Sequence, residues 1–132
     1  MIEKEKLDDA VICKEDDSVL EVARIMRDTQ TRHIIVIDKN LKPSGIISAF
    51  DINNRVVAEE KNAKEIKAED IMTKPIQSID IDIDYNEAYQ KMIDLGIYTI
   101  PVTDKGKLVG ILDFNFLFKK LCEIGGKKKW KV

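Results

Sequence analysis

The chain has 132 residues, a mass of 15.1 kDa and 44% apolar side chains, enough for one compact core or two small joined ones and too much for wholesale disorder. Its charges nearly cancel: 22 Lys and Arg against 24 Asp and Glu leave a net charge of −2, without the basic surplus of a dedicated nucleic-acid binder. No apolar run approaches the ~18 residues that span a bilayer and the acidic start is unlike a signal peptide, so a soluble, cytoplasmic protein with no membrane insertion is expected.

In chain order, Ala10–Cys13 is a short extended piece that leads into an Asp-rich turn. Ser18 and Glu21 stand at the N-cap and N3 spacing that opens a helix, and Val19, Val22, Ala23 and Met26 recur along it at helical intervals. The β-branched run Ile34–Ile37 predicts a second strand. After a turn over Lys39–Ser44, Gly45-Ile46-Ile47 predicts a third, antiparallel to the second through the hairpin. A closing helix is expected from Asp51 to about Glu60, and the charged, helix-prone stretch Ala58–Asp70 reads as a connector rather than a floppy linker.

The series then begins again. Ile76–Ile79 is extended, Asp84 with Glu87 opens a helix bearing Tyr85, Ala88, Tyr89 and Met92, and Ile100–Thr103 is a strand. A turn at Lys105-Gly106-Lys107, a strand over Val109–Leu112 and a helix from Phe114 to about Glu123 complete it. Two glycines set off Gly125–Val132 as a frayed tail, whose Lys127-Lys128-Lys129-Trp130-Lys131 reads as solvated rather than as a membrane or nucleic-acid patch.

The repetition holds residue by residue. Under a shift of 66, Ser18–Lys39 falls on Asp84–Lys105 without a gap and seven of the 22 pairs are identical, where chance gives about one. After one gap the shift becomes 65, and Lys42, Gly45 and Ile46 fall on Lys107, Gly110 and Ile111. The chain is thus read as α+β, with the order β-α-β-β-α occurring twice. A unit of about 55 residues buries too little surface to stand alone, and a three-stranded sheet with helices on one side leaves its other side bare. The two sheets are therefore expected to pack face to face in pseudo-twofold symmetry. The boundaries are repeat one at 7–60, a connector at 61–69, repeat two at 70–124 and a flexible tail at 125–132.

Residue counts exclude several chemistries. Cys13 and Cys122 are too far apart in sequence for a CxxC pair, and one histidine, His33, cannot build a multi-histidine metal site within the chain. No P-loop and no nucleophile signature is present, so no enzyme activity, no catalytic residues, no catalytic cofactor and no metal are expected.

Certain stretches resemble a known family. They are Arg32–Asp38 and Gly45–Asp51 in copy one, and Ile71–Pro75, Gly96–Asp104 and Leu108–Leu112 in copy two. In order and spacing they look like tandem CBS domains, the Bateman module named after cystathionine β-synthase, over roughly Leu7 to Leu121. The resemblance implies a non-catalytic regulatory module that binds an adenosyl ligand, such as AMP, ADP, ATP or S-adenosylmethionine, in a cleft between the two repeats. It also implies a homodimer formed through the helices, and a possible partner enzyme or transporter. The alternative is a ligand-free dimerisation or interaction module, or a regulatory segment of a larger transporter or enzyme.

Carried onto this sequence, the family pattern points first to Ser48 and Asp51 at the head of the closing helix. A carboxylate there can accept from both ribose hydroxyls, and a hydroxyl beside a helix N-terminus can donate to phosphate. Ser-x-x-Asp is equally a helix cap worth about 1 kcal/mol with no ligand. Arg32 and His33 are placed to face a phosphate. Val11, Ile12 and Cys13 would meet the base through their main chain, flanked by Ile34 and Ile35. Copy two departs from the pattern: Asp113 and Phe116 replace the hydroxyl and the carboxylate, and Tyr98 and Thr99 replace the basic pair. One adenosyl site per chain is the expectation.

Overall fold

A computed structural model describes residues 2–124 and divides the chain into two units, Ala10–Ile76 and Met1–Asp9 with Gln77–Val132. The chain passes from one unit to the other twice, at Asp9/Ala10 and at Ile76/Gln77. Each unit therefore contains a segment that precedes the other repeat in sequence. Among the described residues no helix is long and apolar enough to cross a membrane. The tail expected at 125–132 lies outside the described residues.

In the unit Ala10–Ile76, β1 (Ile12–Lys14), β2 (His33–Ile37) and β3 (Pro43–Ser48) form a sheet in that order, β1 parallel and β3 antiparallel to β2. The parallel pair needs a crossover, which α1 (Val19–Thr29) supplies. The helix opens where the Ser18 Oγ accepts from the Glu21 N–H at 3.1 Å, and closes on Gln30 in the left-handed conformation. Its Val19, Val22 and Met26 are buried with Ile34, Val36 and Ile47 of the sheet, each full burial stabilising by about 1.5–3 kcal/mol.

The closing helix differs from expectation. It begins at Ala49, is α-helical only over α2 (Ala49–Ile52), and continues as a π-helical turn, Asn53–Val57. Asn53 and Asn54 are poor helix formers, and the wider turn sets Val56 into the core while Val57 stays exposed.

The charged stretch that follows also departs from its helical reading, since only α3 (Ala68–Ile71) is helical. The main chain around it instead completes the start of α1. The Val19 N–H donates to the Ile66 carbonyl at 2.8 Å and the Leu20 N–H to that of Ala63 at 3.0 Å. In return the Ala68 N–H reaches the Asp17 carbonyl (2.8 Å) and the Glu69 N–H that of Glu15 (3.0 Å). Helix N-termini leave four N–H groups unpaired, and satisfying two of them outweighs the local propensity of this segment.

The second unit repeats the architecture. β4 (Ile79–Asp80), β5 (Thr99–Asp104) and β6 (Lys107–Asp113) pair in the same order and senses, with α4 (Tyr85–Leu95) as crossover and α5 (Phe114–Ile124) closing. The Asp84 carboxylate accepts from the Glu87 N–H at 2.9 Å, and Gly96 ends α4 at φ 65°, in the position of Gln30. The core gathers Ile79, Tyr85, Met92, Ile100, Leu112 and Leu117 around Ile2, which is 1% exposed.

Ile2 belongs to an N-terminal arm. Its N–H donates to the Ile81 carbonyl at 3.1 Å, Lys4 pairs with Asp104 at 2.7 Å, and Asp8 and Ile111 exchange two main-chain bonds of 3.0 and 2.9 Å. In the other unit Thr73 and Ile46 exchange the same two bonds, at 3.0 and 2.8 Å. Both partners are shifted by 65 residues, so the arm is part of the repeat.

Candidate functional site

All nine residues singled out from the sequence lie in the unit Ala10–Ile76, and β2 brings them together. On one side Ile12 and Cys13 are in register with Ile35 and Val36; on the other His33 and Ile34 face Ser48 and Ile47. Strands lie about 4.8 Å apart, so the amino end of β1 and the carboxyl end of β3 stand about 10 Å from each other across β2. The Ile35 N–H donates to the Val11 carbonyl at 3.0 Å, and the Ala49 N–H to that of Arg32 at 3.0 Å, tying the head of α2 to the start of β2.

Ser48 is the N-cap of α2. The Asp51 N–H donates to Ser48 Oγ at 3.0 Å and the Ser48 N–H donates to Asp51 Oδ2 at 2.8 Å, a reciprocal capping box. The remaining oxygen, Asp51 Oδ1, is 3.8 Å from the guanidinium of Arg55, and the side chain is 15% exposed. Arg55 also donates to the Ile71 carbonyl. Sequence reasoning missed Arg55, although its i+4 spacing from Asp51 is the signal for such a pair.

Arg32 and His33 are exposed beside this pair. Ile34 and Cys13 belong to the core cluster, and Ile35 is 6% exposed. Burial, with the Asp17 charge adding to it, pushes the Cys13 thiol up to about 12. β1 is the edge of its sheet, so half of its main-chain polar groups face away from β2 and are not used in that ladder. The geometry therefore offers main-chain groups from Val11–Cys13, while the side chains of Cys13 and Ile34 are spent on packing.

The other unit lacks this chemistry at the related place. Thr99 is in register with Asp113, whose carboxylate accepts from the Phe116 N–H at 3.3 Å, and the Phe116 ring packs on that unit's core. A helix cap remains where the first unit has a hydroxyl and a carboxylate.

A cavity of about 710 Å³ opens at the opposite, carboxyl ends of β1 and β2, among Lys14, Glu15, Asp16, Asp38, Lys39 and Lys67. It lies about 13 Å along β2 from Ser48. Lysines and carboxylates are mixed there. The Ser48–Asp51 end carries the more specific chemistry.

Comparisons with known proteins agree with one another. A model of the CBS domain matches residues 6–58 and again 68–115. An uncharacterized protein of Methanopyrus kandleri is 33% identical over 105 residues, which make up 79% of this chain and 54% of that protein. A homoserine O-acetyltransferase of Methanococcus vannielii is 32% identical over 95 residues, 72% of this chain and 19% of the enzyme. The chain thus spans about half the length of the first relative and about a fifth of the second. The solved CBS domain of a CBS-domain-containing membrane protein from Sphaerobacter thermophilus superposes with a TM-score of 0.68 at 25% identity, over 88% of this chain and 85% of that one.

Proposed function

The chain belongs to the CBS domain family, as a tandem pair of repeats, and from that premise we propose that it is a regulatory module binding one adenosyl ligand per chain beside Ser48 and Asp51. AMP, ADP, ATP and S-adenosylmethionine are the ligands to expect. The module acts by binding and not by catalysis, as a homodimer, on a partner enzyme or transporter. One curated relative carries the matching stretch as about a fifth of an acetyltransferase, which supports a role beside a larger protein.

The observation that carries this reading is what the capping box leaves over. Ser48 Oγ accepts a bond and keeps its own proton to donate, while Asp51 keeps Oδ1, held only by the 3.8 Å pair with Arg55 among the described residues. Capping and ligand binding are therefore compatible: the box fixes both side chains in place, a carboxylate oxygen serves the ribose, and the hydroxyl serves a phosphate beside Arg32 and His33. The outward main chain of β1 serves the base.

The completeness of the same box favours a second reading, an interaction module that needs no ligand. Calorimetry and thermal melts with AMP, ATP and S-adenosylmethionine separate the two. A ligand at 100 times its dissociation constant raises stability by about 2.7 kcal/mol. Absence of both heat and shift with every adenosyl compound leaves the interaction module.

A further inference from the structure

The cavity at the carboxyl ends of β1 and β2 belongs to one repeat and not to the other. In its unit the Glu69 N–H donates to the Glu15 carbonyl at 3.0 Å, and in the other unit the Ile2 N–H donates to the Ile81 carbonyl at 3.1 Å. Glu15 and Ile81 are related by the shift of 66, so these are one and the same bond of the repeat. Ile2 and Ile81 are buried and fill their core. Glu15 and Glu69 instead line an open cavity of about 710 Å³, within the ~300–1,000 Å³ of small-molecule sites. The repeat can thus close this place with two isoleucines, and the glutamates that keep it open do not serve packing.

The β2–β3 turn departs from the repeat at the same spot. In the second unit it is Lys105-Gly106, at φ 53° and 82°, between Asp104 and Lys107. In the first it is one residue longer, between Asp38 and Lys42, and Leu41 stands at φ 65°. A leucine in the left-handed conformation is uncommon and strained. Asp38 holds it there: its Oδ1 accepts from the Asn40 and Lys42 N–H groups at 2.8 and 3.0 Å, and its carbonyl from the Leu41 N–H at 3.1 Å. Leu41 is nonetheless 50% exposed, and with Ile37 it gives the cavity an apolar wall. Around that wall stand Lys14, Lys39 and Lys67 with Glu15, Asp16 and Glu69. Among the described residues the ion pairs are Lys4–Asp104, Arg27–Asp28 and Arg55–Asp51, so these ammonium groups and carboxylates share one cavity without pairing with each other.

We propose that this cavity binds a small zwitterion with an aliphatic body, the chemistry shared by a free aliphatic amino acid and a short peptide. The lysines meet its carboxylate, the acidic side chains meet its ammonium, and Leu41 with Ile37 covers its apolar part. A ligand with one charge satisfies only one of the two sets and meets like charge in the other, which selects against it. The cavity lies about 13 Å along β2 from Ser48, so this site is separate from the adenosyl reading and does not depend on it.

Titration of the isotope-labelled whole chain with L-leucine and with L-leucyl-L-alanine, followed by amide NMR shifts, tests this, with N-acetyl-L-leucine and L-leucinamide as the singly charged forms. At least one zwitterion should saturate in the millimolar range and move the amides of Lys14–Asp16 and Lys39–Lys42; the one that saturates at the lower concentration names the source. Both singly charged forms should bind at least tenfold more weakly. Glu15→Ile combined with Glu69→Ile, which installs the side chains of the other repeat, should abolish the shifts while the melting temperature holds or rises. If circular dichroism shows that double variant unfolding, Lys39→Gln on the exposed turn decides, with an expected loss of at least fivefold. No saturation with either zwitterion, a singly charged form bound as tightly as the zwitterion, or undiminished binding in the deciding variant overturns the proposal.

Discussion

The sulfur of Met72 fills the space in which Gly45 would carry a Cβ: that atom would lie 2.5 Å from Met72 Sδ and 2.7 Å from its Cγ. Sixty-five residues on, Gly110 stands in the same relation to the N-terminal arm, its Cβ falling 2.8 Å from Leu7 Cβ and 2.9 Å from the Asp8 carbonyl oxygen. The glycine shared by both repeats is thus explained by close approach. An arm must come near enough to exchange two main-chain bonds with the residue after the glycine, Ile46 or Ile111.

The two glycines should not tolerate alanine equally. At Gly45 the nearest atoms are the Sδ, Cγ and Cβ of Met72, of which the first two can turn aside with the side chain. At Gly110 they include main-chain oxygen and a Cβ, which can yield only if the arm shifts, and the φ of 159° strains a side chain there as well. Gly45→Ala is expected to cost about 1 kcal/mol and Gly110→Ala about 2–3 kcal/mol, within the usual range for overpacking. Urea denaturation of the two variants reads the difference, and equal costs would count against the arm as the cause.

Loss of the N-terminal arm should be felt in the second unit alone. Ile2→Ala removes a side chain that is 1% exposed and should cost about 2–5 kcal/mol. Removing residues 1–8 takes away the acceptor of the Ile111 N–H, the Asp8 carbonyl at 2.9 Å. Hydrogen exchange followed by NMR should then show the Ile111 amide losing protection while the Ile46 amide, bonded to the Thr73 carbonyl at 3.0 Å, keeps it. Simultaneous loss at both amides would contradict this assignment.

Local rules were sufficient where local bonds decide. Ser18 and Asp84 cap their helices as their spacing implies, and the runs Ile34–Ile37 and Ile100–Thr103 pair as strands because β-branched residues between turn signals have little alternative. Legibility failed where a distant partner supplies the bond. Nothing near Ala63 or Ile66 says that their carbonyls close α1, and nothing near Asp8 says that it joins β6. At the site, Ser48 and Asp51 were visible as a pair, whereas Arg55 was passed over because it faces no expected ligand group. Its i+4 spacing from Asp51 is a sequence signal, whereas its bond to the Ile71 carbonyl emerges only from the fold.

The two cysteines should differ sharply toward alkylating agents. Cys13 is 3% exposed, and burial pushes its thiol up to about 12, so at pH 8 only about one molecule in 10⁴ carries the thiolate that reacts. Cys122 on α5 is partly exposed. Iodoacetamide at pH 8 should modify Cys122 first and reach Cys13 only through unfolding. Because folding raises the thiol's pKa, the folded state holds the proton longer than the unfolded chain. This group therefore leaves stability untouched below the ordinary thiol range and lowers it as pH climbs through that range toward 12. Mass spectrometry showing Cys13 modified first in the native protein would refute the burial argument.

The site itself is tested by three substitutions read together. Asp51→Ala removes the acceptor of the Ser48 N–H and the oxygen offered to a ribose. It should cost about 1 kcal/mol of stability as a lost cap, and at least tenfold in affinity, since hydrogen bonds to a charged group contribute about 1.5–3 kcal/mol. Asp51→Asn keeps an acceptor for the Ser48 N–H and should hold the fold, yet its amide presents one acceptor oxygen where the carboxylate presented two, so binding should still weaken. Phe116→Ala, at the related position of the other unit, should leave affinity unchanged because no ribose is expected there. Calorimetry with AMP, ATP and S-adenosylmethionine on the three variants, beside a thermal melt of each, separates an uncapped helix from a lost ligand contact. If Asp51→Asn binds as tightly as the wild type, or Phe116→Ala loses more affinity than Asp51→Ala, then Asp51 is a cap and nothing more.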